Sequence, residues 1–181
     1  MALRIPLKKL SEINNRQIFF DANVLIYIFW SAGRLREERI YGSLYGKLIK
    51  GNNDLVIDYT VISEIVNRTH RIAYDIFLKK ESKSKDELNY KEYRNSDAGK
   101  DALNDIYRTI EFNILDSFKV VGRAINEDDI RNFLIDNGLD FGDKAILTLC
   151  QENDYVLLTH DSDFKSEKVD ILSGNKSIVA S

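Results

Sequence analysis

The sequence has one cysteine, one proline and nine glycines among 181 residues. A single cysteine cannot close an internal disulfide, which fits a reducing cytoplasm. One proline and few glycines argue against disordered linkers. Nowhere do about 18 apolar residues follow one another, as a membrane span requires. The N-terminal stretch also lacks the basic head and apolar run of a secretory signal. A cytoplasmic protein without a membrane anchor is therefore expected. There is no G-x-x-x-x-G-K-[ST] loop and no G-x-G-x-x-G after a strand, which removes nucleotide-cofactor readings. No internal repeat is present, and a net charge of -3 excludes a globally basic nucleic-acid binder.

What remains is an ordinary globular composition, 44% hydrophobic and 30% charged, in a length that suits one domain spanning 1–181. Charge is unevenly spread. Residues 1–110 hold 19 Lys+Arg against 15 Asp+Glu, whereas 111–181 hold 7 against 14. A basic half beside an acidic half is compatible with a phosphate-gripping surface flanking an acidic, metal-binding site; uneven solvated charge would look the same.

The chain is organised around Gln17-Ile18-Phe19-Phe20-Asp21-Ala22-Asn23-Val24-Leu25. Three uninterrupted apolar residues read as a strand buried on both faces, roughly 17–21, and an apolar helix over roughly 23–31 follows. Further strands are expected at 55–57, 118–121 and 155–158, with a fifth at 168–172 or 177–180. Helices are expected over 34–50, from about 60, over 126–136 and over 142–153. Residues 1–16 read as a short edge segment with a basic face. Strands alternating with helices predict an α/β domain with a parallel central sheet and helices on both faces. Residues 79–100 carry seven Lys or Arg, five acids and scarcely any aliphatics. That composition predicts a solvated helix pair or a protruding loop without a core role.

Four places bring carboxylates to one rim of such a sheet. Asp21 ends the first strand, Glu64 lies one turn into the next helix, Asp143 opens an apolar helix, and Asp161 and Asp163 follow the fourth strand. Each acid alone could be a helix cap or a solvated residue. Together they would repel one another, and a bound divalent cation relieves that repulsion. Oxygen ligation without sulfur selects Mg²⁺ or Mn²⁺. His160 is not needed as a base if a metal lowers the pKa of its water, and Cys150 reads as a small buried apolar group.

The stretches Phe20-Asp21-Ala22-Asn23-Val24-Leu25-Ile26, Thr60-Val61-Ile62-Ser63-Glu64-Ile65, Gly142-Asp143-Lys144-Ala145-Ile146-Leu147 and Leu158-Thr159-His160-Asp161-Ser162-Asp163-Phe164 resemble, in order and spacing, the PIN-domain nucleases. The closer resemblance is to the VapC-like ribonuclease toxins of toxin–antitoxin pairs. It implies a three-layer α/β/α domain in which Asp21, Glu64, Asp143 and Asp161 are catalytic metal ligands. Asp163 would be an auxiliary ligand, Asn23 and Thr159 polar support at the substrate, and Asp140 a residue behind the ligands. It implies RNA as substrate, Mg²⁺ or Mn²⁺ as cofactor, a homodimer and an antitoxin partner. The departure is a longer, more charged helical insertion over about 70–116. Within it Tyr90 and Tyr93, beside Lys91 and Arg94, are expected to offer stacking and phosphate contacts to single-stranded RNA.

Two other readings compete. Asp21-Ala22-Asn23-Val24 also resembles the nucleophile loop of haloacid-dehalogenase-type phosphatases, with Asp21 as nucleophile and Lys144 steadying the phosphate. Asn23 replaces that loop's second acid, however, and Glu64 would have no role. A non-catalytic RNA-binding module of the same fold would have no use for mutually repelling acids.

Overall fold

The computed structural model describes residues 2–30 and 33–179. Its frame is a six-stranded sheet of β1 (Arg4–Pro6), β2 (Gln17–Phe20), β3 (Asp54–Ile57), β4 (Lys119–Val120), β5 (Val156–Leu158) and β6 (Ile171–Ser173). The order is β1-β6-β5-β2-β3-β4 and every pairing is parallel. Central strands covered on both faces must be apolar throughout, and Ile18, Phe19, Phe20, Val156, Leu157 and Leu158 are fully buried. The expected edge segment is β1, whose Arg4 guanidinium donates to the carbonyls of Lys165, Glu167 and Val169.

The helices are α1 (Ala22–Phe29), α2 (Leu35–Lys50), α3 (Tyr59–Lys80), α4 (Tyr90–Asn95), α5 (Asp97–Thr109), α6 (Glu127–Phe133), α7 (Phe141–Asn153) and α8 (Lys176–Val179). From β2 the chain steps through β3 to β4, then crosses back past β2 to β5 and β6. Right-handed crossovers running in opposite directions put their helices on opposite faces, so α7 covers one face and α1 to α3 the other. The three-layer arrangement is thus the expected one. The reversal makes the gap between the ends of β2 and β5 the topological switch point, where α/β folds form their sites.

Several boundaries differ from expectation. The helix expected over 126–136 ends at Phe133, because the Lys144 ammonium binds the carbonyls of Phe133 and Ile135 and fixes the chain as it leaves α6. The last strand is β6, and residues 177–179 are helical. Ser31 and Ala180, ends of two expected elements, lie outside the described residues.

The larger correction concerns residues 79–100, which do have a core. Tyr74, Leu78 and Tyr93 form a second buried cluster, flanked by Phe77, Leu88, Tyr90, Ala98 and Ala102. Charge counts conceal it because three-residue spacing on α4 puts Tyr90 and Tyr93 on one face. That face meets His70, Tyr74 and Phe77 of α3, with ring centroids 5.2–5.6 Å apart. His70 is buried as well, with Nδ1 2.8 Å from the Tyr90 hydroxyl and Nε2 2.9 Å from the Gly99 carbonyl. Beyond α5 the chain continues as a π-helical turn, Ile110–Leu115, whose Ile110 and Ile114 rejoin the main core.

Ser96 joins α4 to α5 so tightly that a Cβ at Gly99 would lie 2.0 Å from the Tyr93 carbonyl oxygen. That neighbour is backbone and cannot rotate away. Gly99→Ala is therefore expected to cost about 2 kcal/mol, as overpacking does, and to lower the Tm by roughly 5 °C. An unchanged Tm would show that the junction yields freely.

Candidate metal-dependent hydrolytic site

Asp21 stands where β2 stops, with its backbone N–H bonded to the Leu158 carbonyl of β5. Only 4% of it is exposed. One of its carboxylate oxygens accepts from the Thr159 hydroxyl at 2.5 Å and from the Asn23 amide at 2.7 Å. Thr159 Oγ1 accepts in turn from the Asp161 backbone N–H at 2.9 Å, and Asn23 Oδ1 accepts from the His160 backbone N–H at 3.2 Å. Asn23 and Thr159, expected as polar support at the substrate, hold the two strand ends together.

The acids sense one another. Burial pushes the Asp21 carboxyl up to about 6, opposed by the Thr159 bond and reinforced by the charges of Glu64 and Asp161. Asp143, in the first turn of α7, is pushed up to about 7 by burial, then by Asp140, Asp21, Asp161 and Glu64. Asp140 caps α7 by accepting the Asp143 backbone N–H at 2.9 Å, which explains why its charge falls so heavily on Asp143. The four expected carboxylates therefore form one electrostatic group. Asp163 is exposed and touches that group through its backbone N–H, which donates to Asp161 at 3.0 Å.

Among the described residues no three His, Cys, Asp or Glu side chains are arranged to hold an ion together. Asp21 is engaged by Thr159 and Asn23, and Glu64 is drawn into an ion pair with Arg68 at 2.7 Å. The donor chemistry still fits a hard divalent cation. It is all oxygen, and two of its acids have raised pKa values in part because each faces uncompensated negative charge. Closing the set requires mainly that Glu64 leave Arg68, and an exposed pair four residues apart on a helix is worth only about 0.3–0.5 kcal/mol.

The remaining candidates are structural or peripheral. His160 Nδ1 lies 2.8 Å from the Tyr41 hydroxyl, its ring meets Tyr27 and Tyr41 edge-on, and burial lowers its pKa. Burial raises the Cys150 thiol well above its ordinary value, which leaves it unreactive. Lys144, 7% exposed, is committed to its two carbonyls and cannot steady a phosphate. Lys91 and Arg94 are exposed on α4. The stacking surface expected beside them is absent, because Tyr93 is only 2% exposed and Tyr90 lies between His70, Tyr74 and the Arg71 guanidinium. Sequence reasoning missed Arg68, although its position four residues after Glu64 is the spacing of a helical ion pair. It also missed Asp58, the buried N-cap of α3, whose pKa burial raises.

An all-oxygen acidic cluster stands at the switch point of a parallel sheet, where α/β folds form their sites. The sequence profile of the PIN domain matches residues 18–168, and the chain belongs to that family. PIN domains are generally nucleases. No curated protein matches the chain. Among solved structures it is similar to VapBC2 from Rickettsia felis bound to a DNA fragment from its promoter. That similarity has a TM-score of 0.48 and 12% identity over 87% of this chain and 98% of the other. It is also similar to PAE2754 from Pyrobaculum aerophilum, with a TM-score of 0.47 and 20% identity over 92% and 89% of the two chains.

The raised pKa values carry a sign. Folded Asp21 and Asp143 hold protons more tightly than the unfolded chain does, so their contribution to stability falls as pH rises from about 4 to about 7. Asp143→Asn should remove much of that penalty. Allowing for solvent screening of a half-buried group, the gain at pH 7.5 is about 1 kcal/mol, or about 3 °C in Tm. It should vanish near pH 4, where the acid is protonated anyway. Equal Tm values for wild type and variant at pH 7.5 would contradict the coupling.

Proposed function

We propose that this chain is a Mg²⁺- or Mn²⁺-dependent endoribonuclease, acting as the toxin of a toxin–antitoxin pair. The observation that carries the reading is that Asp21 and Asp143, both raised first by burial, also feel the charges of Glu64 and Asp161 at the switch point. These four would hold the ion, with Asp163 at the open edge of the group. When bound, the cation supplies an activated water and positive charge to offset the scissile phosphate. The chain's own residues do the rest. Thr159 and Asn23 hold one oxygen of Asp21, and Asp140 caps the first turn of α7, which carries Asp143. Exposed Lys91 and Arg94 would contribute charge attraction to RNA phosphates without stacking.

A phosphatase that uses Asp21 as nucleophile is disfavoured, because that carboxylate is buried and hydrogen-bonded and Lys144 is occupied. A purely RNA-binding module leaves the strained acids without a purpose. The antitoxin and the homodimer are inferred from the family resemblance of the motifs. Among the described residues no helix is long and apolar enough to cross a membrane, in keeping with action on cytoplasmic RNA.

Incubation with short single-stranded RNA and Mn²⁺ should give internal cleavage with 5′-phosphate products. Excess EDTA should abolish it, and Asp21→Asn should lower the rate at least about 10²-fold, the scale of losing one charge-stabilising group. Intact RNA with wild type, or full activity in EDTA, would reject the assignment. Expression of the wild type, but not of Asp21→Asn, should arrest growth; normal growth would remove the toxin role.

Mn²⁺ should also stabilise wild type by binding the native state preferentially, by about 2.7 kcal/mol at a hundredfold excess over Kd, and so raise its Tm. Asp143→Ala should lose most of that rise. No rise in wild type would remove the metal from the site.

A further inference from the structure

Four carboxylates around one divalent cation leave the rim negative, and an RNA phosphate drawn to it needs a further positive group nearby. Most basic side chains in this part of the fold are already spent. Lys144 holds the carbonyls of Phe133 and Ile135, Arg123 pairs with Asp129 and Glu152, and His160 is tied to Tyr41. Among the described residues, Arg68 is the one Lys or Arg that forms an ion pair with any of Asp21, Glu64, Asp143 and Asp161.

Arg68 stands one turn beyond Glu64 on the same face of α3, and its Nη1 donates to Glu64 Oε1 at 2.7 Å. The Glu64 charge reaches Asp21 and Asp143, so the guanidinium it holds lies at the edge of the acidic group. The pair engages one of the three guanidinium nitrogens; Nε and Nη2 make no hydrogen bond among the described residues. The side chain is 46% exposed, which leaves it open to a ligand from solution. A guanidinium matches phosphate oxygens with two parallel bonds, and Glu64 offers it one.

The two partners have separate destinations. An exposed helical pair of this spacing is weak, so either of two ligands can part it. A cation that takes Glu64 leaves Arg68 for a phosphate, and a phosphate that takes Arg68 leaves Glu64 for a cation. Ligands that draw on opposite halves of one pair raise each other's affinity by the same factor.

We infer that Arg68 binds a phosphate of single-stranded RNA at the edge of the acidic group, and that its exchange from Glu64 to that phosphate couples RNA binding to cation binding. The coupling rests on the metal-dependent reading of the site; the phosphate contact does not.

Fluorescence anisotropy of a labelled short oligo(U) RNA in excess EDTA reads the phosphate contact without cleavage. Glu64→Gln keeps the side chain's shape but gives up its charge, and so releases Arg68. It should tighten RNA binding by up to about fivefold, the upper range for an exposed charge pair. It should also steepen the fall of log K with log salt by about 0.7, the increment of one phosphate contact on a single strand. In an Arg68→Ala background the same change should bring little gain and no added slope, while Arg68→Lys, which keeps the charge without the fork, should retain part of the gain. Both side chains are partly exposed, so the fold should survive, as far-UV circular dichroism would verify. Equal effects of Glu64→Gln with and without Arg68 would overturn the contact. Calorimetric titration with Mn²⁺ in the absence of RNA should show Arg68→Ala binding the ion about twofold more tightly than wild type, because Glu64 is no longer shared. Equal Mn²⁺ affinities would overturn the exchange. An Arg68-dependent gain in EDTA, alongside a wild type that binds no Mn²⁺, would keep the phosphate contact and discard the metal reading.

Discussion

The hydrogen bond from the Thr159 hydroxyl to Asp21 holds the rim of this protein together. After β2 and β5 the chain departs in opposite directions, and the backbone bond from Asp21 to the Leu158 carbonyl is the last rung between the two strand ends. Thr159 bridges them, donating to Asp21 at 2.5 Å and accepting from the Asp161 backbone at 2.9 Å. Asn23 makes a second bridge of the same kind. Such bonds are stronger where water is excluded, and both Thr159 and Asp21 are buried. Two acids that would otherwise move apart are held in one place by neutral neighbours.

The force they resist is considerable. Raised pKa values at Asp21 and Asp143 mean that the native state is less stable at neutral pH than it would be with neutral side chains there. The sheet beneath supplies the opposing term. Each fully buried Leu, Ile or Phe contributes about 1.5–3 kcal/mol, and β2 and β5 alone bury Ile18, Phe19, Phe20, Leu157 and Leu158 completely.

Much of this could be read from the chain in advance. Apolar triplets such as Ile18-Phe19-Phe20 mark buried parallel strands, and an acid directly after each marks the rim, because both signals are local. The second core was not legible, since it depends on His70, Tyr74 and Phe77 of α3 meeting a short helix some twenty residues later within a stretch whose composition is charged. Nor was the Glu64–Arg68 pair that draws one acid away from the others, because sequence position gives a residue's helix face but not its rotamer.

The second core has a kinetic consequence. α4 packs on α3 and α5 through a small aromatic cluster, whereas the carboxylates are anchored to the ends of central strands. Units with few buried contacts open locally at a fraction of the global unfolding free energy. Lys91 and Arg94 therefore sit on an element whose amides exchange with solvent through local opening, while those beneath Asp21 and Thr159 wait for the whole sheet to come apart. The protein thus has two clocks, a fast one at its charged periphery and a slow one at its acidic centre.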